Sequence, residues 1–556
     1  VSTDTSTRAV VRYLGGESGH RSFFGGTHSR ARVILLVFFV IAGMVLTPLI
    51  GWPGLAIAAA GAGVTLLVTA RTYRGSILDR RRKRARWVAR LRSGTHRFTP
   101  YDVAQWDQLT QGQADAAHVR GSAGRLERSL LASEVVAMRA HPDGADSMGW
   151  LRHGRGQAGI AWHAATGEQP YLSVTFAVTG QLRGIESTAV MSRAAEGWGA
   201  FLSSRAVPSS LARDVQITTR VLPSDSAMQE FWVLNSLDPA APTDAVRSYE
   251  DVLRLTGENA MVQRHYVTVN WPLTPAFREA ASKYGSGRDG WRALMDEEIA
   301  STARGLAEAK MGRVEALTAR QTAAVILHQQ NPSRPIDYVS DADPASLGLA
   351  SHDEFSAHVV DGFDPVRGVP VQWWHRTAAI HAESLATAPR TQLWLLDLLI
   401  GKDIQFIRTV SFHLHLIPAG EAKNAARQDL VRDAAESLSK REAGQIDTDD
   451  TEVHMSAARR RRQDLVAGSQ HHGAAWIGYV TISVRDSDQL ARASRQLEET
   501  CSTGLGIERL DWLDSYQSAA SGTTWPIGRG LRATRSPLSA RIYDRMAGHG
   551  EREAIS

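Results

Sequence analysis

The sequence has one cysteine, Cys501, in 556 residues. That excludes an internal disulfide framework and any metal site built from several thiolates, so the fold is stabilised by packing and suits a reducing compartment. The phosphate loop of the P-loop NTPases is missing as well: no G-x-x-x-x-G-K-[ST] occurs, and with it go the backbone cradle and the phosphate-binding lysine. The third absence is of charge. From Val33 to Ala70 there is no Asp, Glu, Lys or Arg, a run of 38 residues bounded by Arg32 and Arg71.

One straight helix of that length would measure about 57 Å, against a hydrocarbon core about 30 Å thick. The Gly51-Trp52-Pro53-Gly54 turn, with Pro48 before it, divides the run into stretches near 33–50 and 55–70 and predicts a transmembrane hairpin. Trp52 suits the interface at the turn. The second stretch is rich in Ala and Gly and is expected to pack tightly against the first. His28, Arg30 and Arg32 precede the hairpin and a basic cluster follows it, so the positive-inside rule predicts that both termini are cytoplasmic.

The formal net charge of +5 belongs to that cluster. Residues 71–90 hold nine Arg or Lys against one acid, Asp79, a net of +8 that leaves −3 for everything else. Arg80, Arg81, Arg82, Lys83, Arg84 and Arg86 form its dense centre. They are the expected contact with anionic headgroups of the lipid bilayer, at about 1 kcal/mol each near the surface. Nucleic acid is the less favoured partner for the same charges.

With 43% hydrophobic residues and 60.6 kDa, the rest of the chain can build more than one core. The division read from the pattern is a cytoplasmic N-terminal segment at 1–32, the hairpin at 33–70 and a basic helix and connector at 71–145. Two α/β modules at 146–330 and 331–525 follow, and a basic flexible tail at 526–556. In the first module, Leu172, Val174, Phe176 and Val178 alternate with Ser173, Thr175 and Ala177, which predicts a half-buried strand in a hairpin with 158–163. A helix is expected at 187–205, strands at 215–222 and 265–271, and helices at 288–309 and 317–330. In the second module the expected elements are a strand at 371–382, a helix at 388–400 and a strand at 405–417. A polar helical excursion at 419–468, a strand at 476–484, a helix at 487–502 and a short strand at 506–511 come next, with a last helix after them. The fold class is α+β: an N-terminal transmembrane hairpin, then two α/β cytoplasmic modules with mixed or antiparallel sheets.

The motifs that could carry chemistry are weak. Gly285-Ser286-Gly287-Arg288-Asp289-Gly290 matches G-x-G-x-x-G, but a helical pattern precedes it where a dinucleotide site needs a strand, so it reads as a link between helices. Leu393-Trp394-Leu395-Leu396-Asp397 imitates a Walker B strand and reads as core. Ser437-Leu438-Ser439-Lys440 fits S-x-x-K without a second signature. His413 and His415 share a strand face with Thr409 and Ser411, while His375, His381, His471 and His472 have no evident companions, so no metal site is expected. Arg459–Arg462 reads as a solvated face. No catalytic residue, cofactor or metal is expected, and the chain is not read as an enzyme.

Several of these segments together resemble a known family. They are the basic Arg30–Arg32 lead-in, the Arg80–Arg84 exit, Gly159-Ile160-Ala161-Trp162-His163 with Tyr171–Val174, His375-Arg376-Thr377, Thr409–Leu414, Leu465-Val466-Ala467-Gly468 and the closing Pro526-Ile527-Gly528-Arg529-Gly530-Leu531. The string resembles actinobacterial membrane components of secretion and conjugation clusters, grouped with the EccE-type component of type VII secretion. It is also similar to a two-helix membrane subunit of type IV secretion joined to the non-motor N-terminal half of a conjugative ATPase. The resemblance implies a multi-pass cell-membrane protein in a multiprotein complex, docking a separate motor ATPase and other secretion or conjugation subunits. A membrane-tethered enzyme without standard motifs and a nucleic-acid-binding conjugation accessory are the alternatives.

Overall fold

The structure is a computed structural model. It describes residues 12–14, 30–69, 77–118, 121–424 and 472–530, with interruptions at 166–167, 183–185, 224–234, 258–260 and 401–403 and at positions 239, 366, 387 and 392. Arg71 and Arg74, almost all of the excursion expected at 419–468, Ser437–Lys440, Arg459–Arg462 and His471 lie outside the described residues.

Two antiparallel helices, Arg30–Ile50 and Trp52–Thr69, occupy the uncharged run, and Gly51 at φ +76° makes the turn between them. They touch through small residues of the second helix. A Cβ added to Gly54 would lie 2.6 Å from Leu46 O, one on Gly61 would lie 2.2 Å from the Phe39 ring, and Ala58 faces Gly43. The Ala/Gly-rich stretch therefore does pack as closely as its composition suggests. Side chains are described over 35–50 and 52–67, about 24 Å of each helix. Among the described residues, no helix is long and apolar enough to cross a membrane.

Beyond the helix Ile77–Ser93, the chain runs through strand β2 (Arg97–Pro100; β1 is Arg12–Leu14), helices Val103–His118 and Ser122–Ala137, and β3 (Met138–Arg139). The stretch read as a connector is thus structured, and it extends the sheet of the second module. The first module contributes β4 (Met148–Arg152), β5 (Ile160–His163), β6 (Tyr171–Val178), helix Thr188–Ala206, β7 (Asp214–Pro223) and β8 (Met261–Pro272). Helices Pro275–Ser282 and Gly287–Glu308, β9 (Val314–Ala316) and helix Ala319–Gln330 complete it. The second contributes β10 (Ser351–Glu354), β11 (Ala357–Asp364), β12 (Val369–His381), β13 (Ala388–Arg390), β14 (Ile407–Ile417), β15 (Gly473–Val484), helix Ser487–Thr503, β16 (Asp511–Trp512) and helix Gln517–Ser521.

The helix expected over 388–400 is replaced by β13, which pairs with β1, and a short helix at Leu396–Ile400. Pro389 lies in the extended piece, and Arg390 donates to the carbonyls of Ala386, Leu505 and Gly506. The strand expected over 506–511 is likewise only Asp511–Trp512, preceded by a single bridge between Leu385 and Ile507.

The two modules form one sheet. Its order is β3-β2-β10-β11-β12-β15-β14-β7-β8-β6-β5-β4, with β16 added beside β12 and β9 beside β6, and the modules join where β7 pairs antiparallel with β14. Reading outward from that seam, β7-β8-β6-β5-β4 repeats as β14-β15-β12-β11-β10, so the halves are related by an approximate two-fold axis. The covering helices repeat too. Leu317, Gln321, Ala323 and Ala324 of the first recur as Leu513, Gln517, Ala519 and Ala520 of the second.

The two faces of the sheet differ. One is apolar: Leu172, Val174, Phe176, Val267, Val269 and Trp271 pack under Thr188–Ala206 and Gly287–Glu308, while Val410, Val480 and Ile482 pack under Ser487–Thr503. The other is a buried polar floor that includes Ser173, Thr175, Gln216, Thr218, Arg220, Thr409, Ser411 and Thr481. Helix Ala319–Gln330 and the segment 517–530 roof it.

That roof corrects the boundary of the tail. Trp525 and Ile527 are 2% and 1% exposed, and the backbone of Pro526 and Gly528 bonds Thr175, Gln216 and Asn270. The folded body therefore includes residues through Gly530. The polar floor needs partners for its buried hydroxyls and amides, and an extended backbone supplies them.

Candidate functional site

Helix Ile77–Ser93 carries the basic cluster. Arg, Lys and Ala favour the helical state, and Gly94 at φ +73° ends it, where a side chain would strike Ser133. Lys83, Arg86, Trp87 and Arg90 recur at spacings of three and four and turn toward the second module, half-buried or buried. Arg80, Arg81, Arg82 and Arg84 are exposed.

The inward side chains meet acids. Lys83 Nζ donates to Asp511 Oδ1 at 3.2 Å and to Trp512 O at 2.7 Å. Burial pushes the Asp511 carboxyl up, but its hydrogen bonds and attraction to His381 and Lys83 outweigh that and hold it at about 2. Trp87 meets the edges of His96 and Phe355. One turn on, Arg90 enters a closed socket. Its Nη1 donates to Asp353 Oδ2 at 2.6 Å and Ser515 O at 2.8 Å. Its Nη2 donates to Thr95 O at 3.0 Å and lies 3.4 Å from Asp143 Oδ2. The guanidinium stacks on Tyr516, 4.0 Å from the ring centroid. Asp143 is also gripped by Arg139, and Asp353 accepts the backbone N–H of Ser518. Burial raises Asp353 to about 7, against the pull of the Arg90 charge and Ser518.

The six clustered cations expected at a membrane surface thus divide. Arg80, Arg81, Arg82 and Arg84 remain exposed, Lys83 is committed to Asp511, and Arg86 is half-buried on the docking side. Arg90, counted in the +8, is wholly internal. Asp143, Asp353, Asp511 and Ser518 were not legible as a site, because they are spread along the chain and no local spacing unites them.

The histidines fall elsewhere. His413 Nε2 bonds Thr523 O at 2.8 Å, and burial lowers it to about 4. His415 Nδ1 lies 2.7 Å from Asp214 Oδ1. Both line a cleft at the module seam with Glu168, Tyr171, Asn270 and Arg529. His375, lowered by burial to about 4, bonds Ser483 and Gln330 O, and His381 lies 3.6 Å from Asp511. Among the described residues, no group of three or more His, Cys, Asp or Glu is placed to hold a metal ion.

The glycine motif follows helix Pro275–Ser282, as its context suggested, and its last four residues form the first turn of helix Gly287–Glu308. A Cβ on Gly290 would fall 2.3 Å from Gly285 O, so the glycines serve a tight corner. Leu393–Asp397 leads into Leu396–Ile400; Trp394 and Leu395 pack half-buried against the core and Leu398 is fully buried, but Leu393, Leu396 and Asp397 are exposed, so only part of the stretch is core.

Compared with known proteins, the chain matches no family model and no curated relative.

Proposed function

We propose that this chain is a membrane-anchored structural component of a secretion or conjugative-transfer apparatus, holding its α+β body at the cytoplasmic face. The observation that carries the anchor is the contrast between the two helices of the hairpin and the body. Phe38, Met44, Leu49, Ile57 and Leu67 point outward with more than half their surface uncovered, along two helices of 21 and 18 residues that contain no charge between Val33 and Thr69. Side chains of that kind favour lipid over water. The helix that follows is fastened to the second module by Lys83 and Arg90. Its four exposed arginines suit anionic headgroups. The apparatus, and a separate motor ATPase as partner, come from the resemblance in sequence to the EccE-type and conjugative membrane components.

Cysteine labelling tests the anchor cleanly, because the native Cys501 is buried. Trp52→Cys should react with a membrane-impermeant maleimide in intact cells, and Arg81→Cys only after permeabilisation. The opposite pattern, or release of the chain by alkaline washing, would remove the anchor. Purification in mild detergent tests the apparatus: secretion or conjugation subunits, including a motor ATPase, should come with it. Recovery of a lone monomer would count against that role. Retention on DNA that weakens steeply with salt would favour the nucleic-acid alternative.

A further inference from the structure

Water does not reach the acids that grip Arg90: the Asp353 side chain is 0% exposed and that of Asp143 is 5% exposed. Between them stands Ser518. Its Oγ is 2.7 Å from Asp353 Oδ2 and 2.8 Å from Asp143 Oδ2. A hydroxyl has one hydrogen and can donate to one of these oxygens only. The second contact is an oxygen–oxygen approach at hydrogen-bond distance, repulsive if both carboxyls are ionised. It becomes a hydrogen bond when one carboxyl carries a proton and donates it to the Ser518 oxygen. That proton belongs to the coupled pair.

The charged and titratable groups around the pair come from every side. Helix Ile77–Ser93 supplies Arg90, and the segment before β4 supplies Arg139, bonded to Asp143. The C-terminal segment supplies Tyr516, stacked under Arg90. His352 and Glu354 flank Asp353 on β10, His358 lies opposite it on β11, and His96 O accepts the Asp353 N–H. Burial lowers His96 and His358, which keeps both neutral around pH 7.

We propose that Asp143, Ser518 and Asp353 hold one proton between them, and that taking up this proton tightens the docking of helix Ile77–Ser93 on the body. When the helix lifts, Arg90 leaves, water enters and Asp353 returns to the ordinary carboxylate range near 4. The docked form therefore binds one proton more than the lifted form between that range and about 7, the value to which burial raises Asp353. Docking is tightest in mild acid, loosens as pH rises to about 7, and is level above it. The joint between anchor and body is thus sensitive to pH in the neutral range.

Hydrogen exchange of the full chain in detergent micelles, read on amides 83–93 and corrected for intrinsic exchange, tests this. Protection should fall by up to about tenfold per pH unit from pH 5.5 to 7 and then level off. Asp353→Asn and Asp143→Asn should each remove the slope, with protection of the β14 and β15 amides confirming that the variants fold. A flat profile in the native chain, or an unchanged slope in both variants, would overturn the proposal. Infrared spectra of the native chain give a readout independent of the variants. A protonated-carboxyl band should be present at pH 6 and gone at pH 8.5, and its absence at pH 6 would overturn the shared proton.

Discussion

Thr175 and Thr377 occupy the same place in the two halves of the molecule. Thr175 Oγ1 lies 2.9 Å from that of Thr268 on the neighbouring strand, and Thr377 Oγ1 lies 2.8 Å from that of Thr481. The carbonyl of each accepts the N–H that opens a covering segment, Leu317 at 2.8 Å and Leu513 at 3.1 Å. Tyr266 and Tyr479 follow the same equivalence two residues before the partner threonines. The two-fold relation therefore extends from strand order to individual hydrogen bonds.

The threonines are equivalent in place but not in energy. Thr175 Oγ1 also donates to Pro526 O at 2.5 Å, within the C-terminal roof. Thr175→Val should destabilise the protein by about 1–3 kcal/mol, because it also strands a buried carbonyl, and Thr377→Val by about 1 kcal/mol. Thermal unfolding of the two variants in the same detergent measures the difference. Equal losses would show that the Pro526 bond contributes nothing.

Arg90 and Arg81 lie on one helix with opposite surroundings. Arg90→Met leaves the buried Asp353 without its cation and Asp143 with Arg139 alone, and should cost roughly 3–5 kcal/mol. Arg81→Gln, at an exposed position, should stay within about 0.5 kcal/mol. Chemical denaturation checks both. A small loss at Arg90 would mean that the helix is not fastened there.

Gly144 and Gly522 bring the segment before β4 against the C-terminal helix. A Cβ on Gly144 would lie 2.7 Å from Gly522 Cα, and one on Gly522 would lie 2.3 Å from Gly144 Cα. Gly144→Ala should destabilise by about 1–3 kcal/mol through overpacking. Differential scanning calorimetry should show a lower melting temperature. Gly149→Ala, where a Cβ would meet nothing within 4 Å, is the control.

Acid should act on the body in the opposite sense to the Arg90 socket. His163 and His375 are lowered by burial from 6.5 to about 3 and about 4. Their neutral forms contribute stability that is present above pH 6.5 and lost as pH falls toward those values, by up to about 1.4 kcal/mol per pH unit each. His375→Gln should flatten the fall of the urea midpoint between pH 6.5 and 4.5. An unchanged slope would show that His375 is protonated without unfolding.

Much of the fold was legible because burial imposes a period. The alternation at Leu172–Val178 marked β6, and Phe406, Arg408, Val410, Phe412, Leu414 and Leu416 marked one face of β14. Arg408 shows where that logic stops. It sits on the apolar face, 1% exposed, donating to the carbonyls of Leu398, Leu399, Ile404 and Phe406. Its alternation was readable and its partners were not. The difference at 388–400 has a similar cause: Ala388–Arg390 pairs with Arg12–Leu14, some 375 residues away, and helix forms only over Leu396–Ile400. Similarly, Pro526–Gly530 resembles a tail by its Gly, Pro and Arg, yet its backbone meets the needs of a polar floor formed by distant strands.

The sequence by itself determined what depends on local composition and period: an uncharged helical hairpin, a basic helix after it, and two α/β units with strands of alternating polarity. Tertiary structure decided what depends on long-range pairing. It merged the two units into one sheet across β7 and β14, laid the C-terminal segment over the seam, and divided the basic cluster between solvent and the body. Charge can be counted along a chain, but whether a given arginine meets water or two buried carboxylates is set by residues hundreds of positions away, and only the folded chain brings them together.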